Sequence, residues 1–280
     1  MALPTTLIPA LFSLGAVCTW GTSDFLGGYG ARRANVLLLT TIAHAAGTTF
    51  MLMCALGTHA VFPSHHAVIW SCAAGLSGGG ALALFYKSLS SGNMGLTAPV
   101  AAVFSAAIPV AIGITHEGFP GFAPASGFLL AAIGIWLVSR TEDGQRPKGI
   151  GLALIAGAGF AGYYLCTRQA GPGSAFWIAA LARAASFTIT SIIVLLSRSF
   201  KPMDGWGVKI GVLAGCIDVT GSVCYILAAQ SGRLDSTVVL SSLYPVVTVL
   251  LARVILHEHF TRWRVVGMIA ALLAVPLIAL

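Results

Sequence analysis

The sequence predicts an all-α integral membrane protein of ten transmembrane helices, built as two inverted five-helix repeats. Three observations carry this. First, of 280 residues 57% are hydrophobic and only 8% are charged, against about 25% charged in a soluble domain. Second, apolar runs near the spanning length of about 20 residues recur with short polar breaks between them. Third, the two halves resemble each other on either side of the longest polar stretch, "RTEDGQRPK" at Arg140–Lys148.

The ten expected helices are 7–28, 34–57, 68–90, 94–115, 122–139, 149–168, 175–197, 209–231, 235–256 and 263–280. Their length and their Ala, Leu and Gly content suit helices. A membrane barrel would instead show alternating segments of about 10 residues. No intervening loop is long enough for a soluble catalytic domain. The start, "MALPTTLIPALF", lacks the basic region of a cleavable leader, so helix 1 is expected to be retained. The formal charge of +7 is spread over short loops rather than gathered into a patch. It reads as a topology signal, not as a nucleic-acid surface. The six cysteines fall inside apolar segments without CxxC spacing and are expected to be free, buried thiols.

The internal match sets residues 1–140 beside 149–280. Ser91-Gly92 answers Ser231-Gly232, Thr97 answers Thr237, and His116-Glu117 answers His257-Glu258. Five helices per copy is an odd number, so the second copy crosses in the opposite sense. Inverted repeats are a transporter architecture, with the solute site near the midplane between the halves.

Several stretches carry a more specific resemblance: "TWGTSDFLGG" in helix 1, "ALFYKSLSSGNMGLTAPVAAVFSAAIPV" in helices 3 and 4, and "LSSLYPVVTVLLARVILHEHFTRWRVVGMIAALLAVPLIAL" in helices 9 and 10. Each half ends in a helix–Glu–turn–helix pattern at Glu117 and Glu258. On these residues the chain resembles the ten-helix drug/metabolite transporter superfamily, EamA type. The resemblance implies a secondary transporter of a small metabolite, amino acid or drug-like solute, resident in a bacterial plasma membrane as a monomer or homodimer. It departs from the family at His116 and His257, where Gly is usual.

Ionisable residues inside membrane helices mark a pathway or a pair. Asp218, Arg183 and Asp24 lie well inside predicted helices, with His44 a weaker fourth. Asp218, Ser222 and Tyr225 share one face of helix 8; Trp20 and Asp24 share a face of helix 1; Ser241, Tyr244 and Thr248 align on helix 9. Together they read as a polar, aromatic-walled cavity for a zwitterionic or cationic solute. Each has a plainer alternative. Asp218 could pair with Arg183 to hold helices 7 and 8 together, or could bind the solute or a coupling proton. Asp24 could lie near the membrane surface. Ser241 and Tyr244 could bond between helices. Pro99 and Pro109 in helix 4, and Pro245 in its repeat partner helix 9, suit either gating kinks or static curvature. Glu117 and Glu258 are expected to bond backbone donors at the start of the next helix.

No metal motif is present: "HEHF" at 257–260 is not HExxH, and His65-His66 has no third ligand nearby. The glycine clusters lie inside helices without a phosphate-loop context and point to close helix packing. No cofactor is expected beyond a coupling proton. The alternatives to a transporter are an integral-membrane enzyme acting on a lipid and a passive channel. The enzyme would want clustered His or Asp with a basic loop at one membrane face, which is missing.

Of the 15 Lys and Arg, Arg183 and Arg253 fall inside predicted helices. Eleven of the rest flank loops 1–2, 3–4, 5–6, 7–8 and 9–10, and two, Arg168 and Arg233, flank the opposite side. This bias puts the first side in the cytoplasm and both termini outside, whereas the family resemblance implies termini inside. A reporter fused at Leu280 that fluoresces or folds only in the cytoplasm is therefore expected to be silent; a fully active one contradicts the charge reading.

Overall fold

The computed structural model describes residues 7–91, 94–138, 149–198, 202–257 and 261–279. Among these every regular element is helical: α1 (Leu7–Gly30), α2 (Val36–Gly57), α3 (His65–Ser91), α4 (Met94–Glu117), α5 (Phe122–Val138), α6 (Ile150–Ala170), α7 (Ala175–Leu196), α8 (Gly205–Ser231), α9 (Leu234–Ser241), α10 (Tyr244–Leu256) and α11 (Arg262–Ala279). Among the described residues seven segments are long and apolar enough to cross a membrane by length and composition, and the chain is a multi-pass membrane protein. Glu258 lies outside the described residues, as does the polar stretch 140–148.

Helix starts follow local chemistry. Asn35 accepts hydrogen bonds from the Leu37 and Leu38 amides, Ser174 from Trp177 and Asp204 from Gly207. Each satisfies donors that the first turn leaves orphaned.

One expected helix is two. The segment read as helix 9 breaks at Ser242-Leu243, giving α9 and α10, and Pro245 falls in the first turn of α10. Proline offers no N–H to the Ser241 carbonyl, and its ring would collide with that carbonyl in a continuous helix. α4 behaves differently: it runs unbroken through Pro99 and Pro109. The three prolines therefore do not act alike. At the far end of α10, His257 takes a left-handed conformation, φ 53°, where glycine would be unstrained.

The outer surface is apolar, with Leu11, Met53, Leu56, Phe122, Leu129 and Val254 exposed. The interior is built from small residues. α1 packs on α8 and α3 on α6; α2 packs on α7 and α8, α3 on α7, and α5 on α11. Lipid tails are as apolar as leucine, so helices associate here through close backbone approach and interhelical hydrogen bonds. A Cβ on Gly75 would strike the backbone of Ala182 in α7, and one on Gly215 would strike the backbone of Ala43 in α2. Ser186 donates to the Gly75 carbonyl at 2.8 Å, Ser77 to Gly159 at 2.8 Å and Ser23 to Ala214 at 3.0 Å. The expected role of the glycines in packing is what these contacts display. The cysteines are free, but none is fully buried: Cys18 is exposed and the other five are half-buried. A small, soft side chain is tolerated on a lipid-facing surface, so burial is not required of it.

Gly215→Ala pits a helix-propensity gain of about 1 kcal/mol against an overpacking cost of about 1–3 kcal/mol. Here the colliding atoms are backbone and cannot rotate away. Gly215→Ala and Gly75→Ala are therefore expected to lower the melting temperature in detergent by about 2–4 °C or more. Gly80→Ala, with open space around its added Cβ, should leave it unchanged or slightly raised.

Candidate functional site

Helices α1, α3, α6, α7, α8 and α10 converge on an internal cavity of about 40 Å³. Its wall is set by helical spacing: Trp20 and Asp24 from α1 and Gly78 and Leu82 from α3 are four residues apart, and on α6 Tyr163 and Tyr164 follow Phe160 by three and four. Arg183, Asp218 and Tyr244 complete it. A volume of this size admits a few waters and is far below the roughly 300–1,000 Å³ of drug-sized ligand pockets.

Asp218 forms the expected pair with Arg183. It lines the cavity, and its carboxylate meets Arg183 Nη2 at 2.5 Å, with both side chains less than a tenth exposed. Arg183 Nη2 also donates to Ser222 Oγ at 2.8 Å. Its Nη1 faces His44 Nδ1 at 3.5 Å, and His44 Nε2 faces the Gly79 carbonyl at 3.5 Å. A carbonyl only accepts, so Nε2 carries the imidazole proton and Nδ1 is left to receive the guanidinium. One cation thus joins α7 to α8 and α2, and its charge is matched by Asp218.

Asp24 is different. It is only 5% exposed and lines the cavity. Among the described residues no ion pair or hydrogen bond engages its carboxylate. Trp20, one turn earlier, donates its indole N–H to the Asp218 backbone carbonyl at 3.1 Å, which pins α1 to α8. Its ring sits 5.9 Å from Tyr164, 5.6 Å from Tyr225 and 6.4 Å edge-on from Tyr244.

The remaining expected site residues divide. Tyr244 reaches the cavity, and its buried hydroxyl has no partner among the described residues. Ser222 serves Arg183. Tyr225 stands behind the wall, its ring tilted 40° against that of Tyr164 at 4.8 Å and its hydroxyl donating to the Tyr164 carbonyl. Ser241 is buried away from the cavity lining, because the break after α9 ends the shared face that a continuous helix would give it with Tyr244. Thr248 bonds the Gly21 carbonyl at 3.1 Å, an interhelical role. Sequence reading missed the α6 aromatics. Their signal was the crowding of three rings, "FAGYY", at one-turn spacing in a helix otherwise of small residues.

A second charged cluster lies at one end of the bundle. Glu117, the last residue of α4, pairs with Arg168 at 2.9 Å and accepts from the Leu234 amide at 3.1 Å. Arg233 donates to the Glu117 and Gly118 carbonyls at 3.1 and 2.7 Å and to Asp235 at 2.8 Å. Arg168 also donates to the carbonyls of Ala229 and Gly232. The expectation that Glu117 serves the next helix is corrected. It caps α9 in the other half, because the chain reversal after α4 brings Glu117 beside the start of α9 rather than of α5.

The family model of the EamA-like transporter family matches residues 147–280. No curated protein matches the chain. A protein solved by crystallography superposes with a TM-score of 0.70 at 18% identity, over 96% of this chain and 95% of that one. That likeness concerns the fold alone.

Removing one partner of a buried ion pair leaves the other uncompensated, at a cost of about 3–5 kcal/mol. Asp218→Asn is expected to lower thermal stability markedly, and Asp218→Asn with Arg183→Gln to recover part of the loss. Equal melting temperatures for wild type and Asp218→Asn would show that the pair contributes nothing to the fold.

Proposed function

We propose, on the premise that residues 147–280 form an EamA-like transporter module, that the chain is a secondary transporter. It moves a small metabolite, amino acid or drug-like solute through the central cavity by alternating access between two inverted repeats, 1–140 and 149–280. The observation carrying this reading is that the cavity's wall comes from both halves at corresponding positions. Trp20 and Phe160, Asp24 and Tyr164, and Gly78 and Asp218 are each 140 residues apart in the chain and all line the cavity.

The packing supports the repeat. α1 against α8 is the counterpart of α3 against α6, and α2 against α8 is the counterpart of α7 against α3. Gly75 on Ala182 and Gly215 on Ala43 are the same contact made twice. On this reading α9 and α10 are one interrupted span, and ten spans make up the protein. The contracted cavity corresponds to a closed state. A solute enters when the halves rock apart on one side and leaves when they part on the other. The Glu117–Arg168–Arg233 cluster, which links α4, α6 and the start of α9, is the closure at one end. Pro245, beside the break between α9 and α10, is where that span can bend. Proton coupling, if present, belongs to Asp24, since Arg183 already engages Asp218.

Purified protein in liposomes preloaded with a pool of small metabolites should catalyse saturable exchange of at least one of them, accelerated when the same solute is present on the opposite side, with or without a pH gradient. Flux that stays linear with concentration and ignores the opposite side would indicate a channel and overturn alternating access.

A further inference from the structure

The lining carries one basic side chain and two carboxyl groups, and only one of the two is paired with the arginine. Arg183 is matched by Asp218 at 2.5 Å and is further held by Ser222 and His44. Asp24, nine-tenths buried and lining the same space, has no cation of its own among the described residues. A carboxylate in a membrane interior is costly without a counter-charge. The complement to this wall is therefore a single positive charge.

The rest of the lining says what kind. A hard metal ion wants six or more oxygen ligands, and apart from the carboxylate already bound to Arg183 the wall offers one carboxylate and phenolic groups. It offers instead the rings of Trp20, Tyr163, Tyr164 and Tyr244. Aromatic faces attract ammonium groups, most strongly when both are desolvated. The Tyr244 hydroxyl, buried and unpartnered among the described residues, supplies an acceptor for an N–H.

We propose that the cavity selects a small organic cation, a protonated amine or quaternary ammonium, with Asp24 as its counter-ion and Trp20, Tyr164 and Tyr244 as its aromatic wall, while Arg183 keeps Asp218 out of the contact. The inference rests on the transport reading above and adds the substrate class. It also shifts the solute carboxylate from Asp218, the residue favoured by its central place in helix 8, to Asp24.

The test compares four radiolabelled probes: tetramethylammonium, 2-phenylethylammonium, neutral 2-phenylethanol and anionic phenylacetate. Equilibrium binding is measured on the purified full-length chain, and exchange is measured in liposomes. The wild type should bind at least one cation and neither of the other two. Asp24→Asn should weaken cation binding by about thirtyfold or more at an unchanged melting temperature, and Asp24→Glu should restore part of it. Absence of saturable cation binding, or equal binding of the neutral or anionic probe, overturns the inference through the wild type alone, even should Asp24→Asn fail to fold. Exchange of phenylacetate or phenylethanol, untouched by Asp24→Asn, overturns the cation reading and leaves transport intact. Selective, Asp24-dependent cation binding without exchange of any probe leaves the cation site intact and overturns transport.

Discussion

A charge inside hydrocarbon must be answered by another charge, a proton or water, and the centre of this protein is arranged around that requirement. Among the described residues Arg183 is the one cation lining the cavity. Asp218, Ser222 and His44 converge on it from α8 and α2. That convergence fixes how α7 sits against its neighbours. It also leaves Asp24 as the lining carboxyl without a paired cation among the described residues. The Trp20 indole, bonded to the backbone of Asp218, extends the same constraint to α1.

The surrounding frame is mechanically simple. Without a hydrophobic drive between helices, contact comes from small residues and carbonyl-directed hydroxyls. Gly75 and Gly215 let backbones touch where any side chain would hold them apart. These contacts are made by backbone and small side chains, while each helix keeps its own backbone hydrogen bonds. The polar latch at Glu117 sits at the end of the bundle. There its partners are partly exposed, with Arg168 34% and Arg233 36% accessible, so water can replace its bonds when they break.

The glycine contacts recur between the two sequence halves, whereas the cavity lining differs. At corresponding places of the cavity one half presents Asp24 and Gly78, the other Tyr164 and Asp218. Close backbone approach is made at Gly75 and Gly215 alike, and so the glycines repeat. Gly78 leaves room for the Tyr163 ring, which lies 3.2 Å from where a Cβ would stand.

Hydropathy and length sufficed for the helices, because a bilayer demands about 20 apolar residues per span and little else. Nine of the ten expected segments correspond to single helices within a few residues of their forecast ends. The tenth was split because proline acts through one missing N–H and one steric clash, whose outcome depends on what the neighbouring turn can tolerate; α4 absorbs Pro99 and Pro109 without a break. The ionisable trio Asp218, Arg183 and Asp24 was legible as exceptional, since the cost of burying charge does not depend on the fold. The Arg183–Asp218 pair between the consecutive helices 7 and 8 was legible as one of two alternatives, and packing decides that it forms. Helix 1 is far from both in sequence, and only packing brings Asp24 to the same cavity. The same holds for Glu117, whose position at a helix end was evident but whose cap on α9 is a contact between halves. Sequence alone determined which residues must be answered; the tertiary structure decided by what, because pairing is a matter of distances between helices that no spacing along one helix encodes.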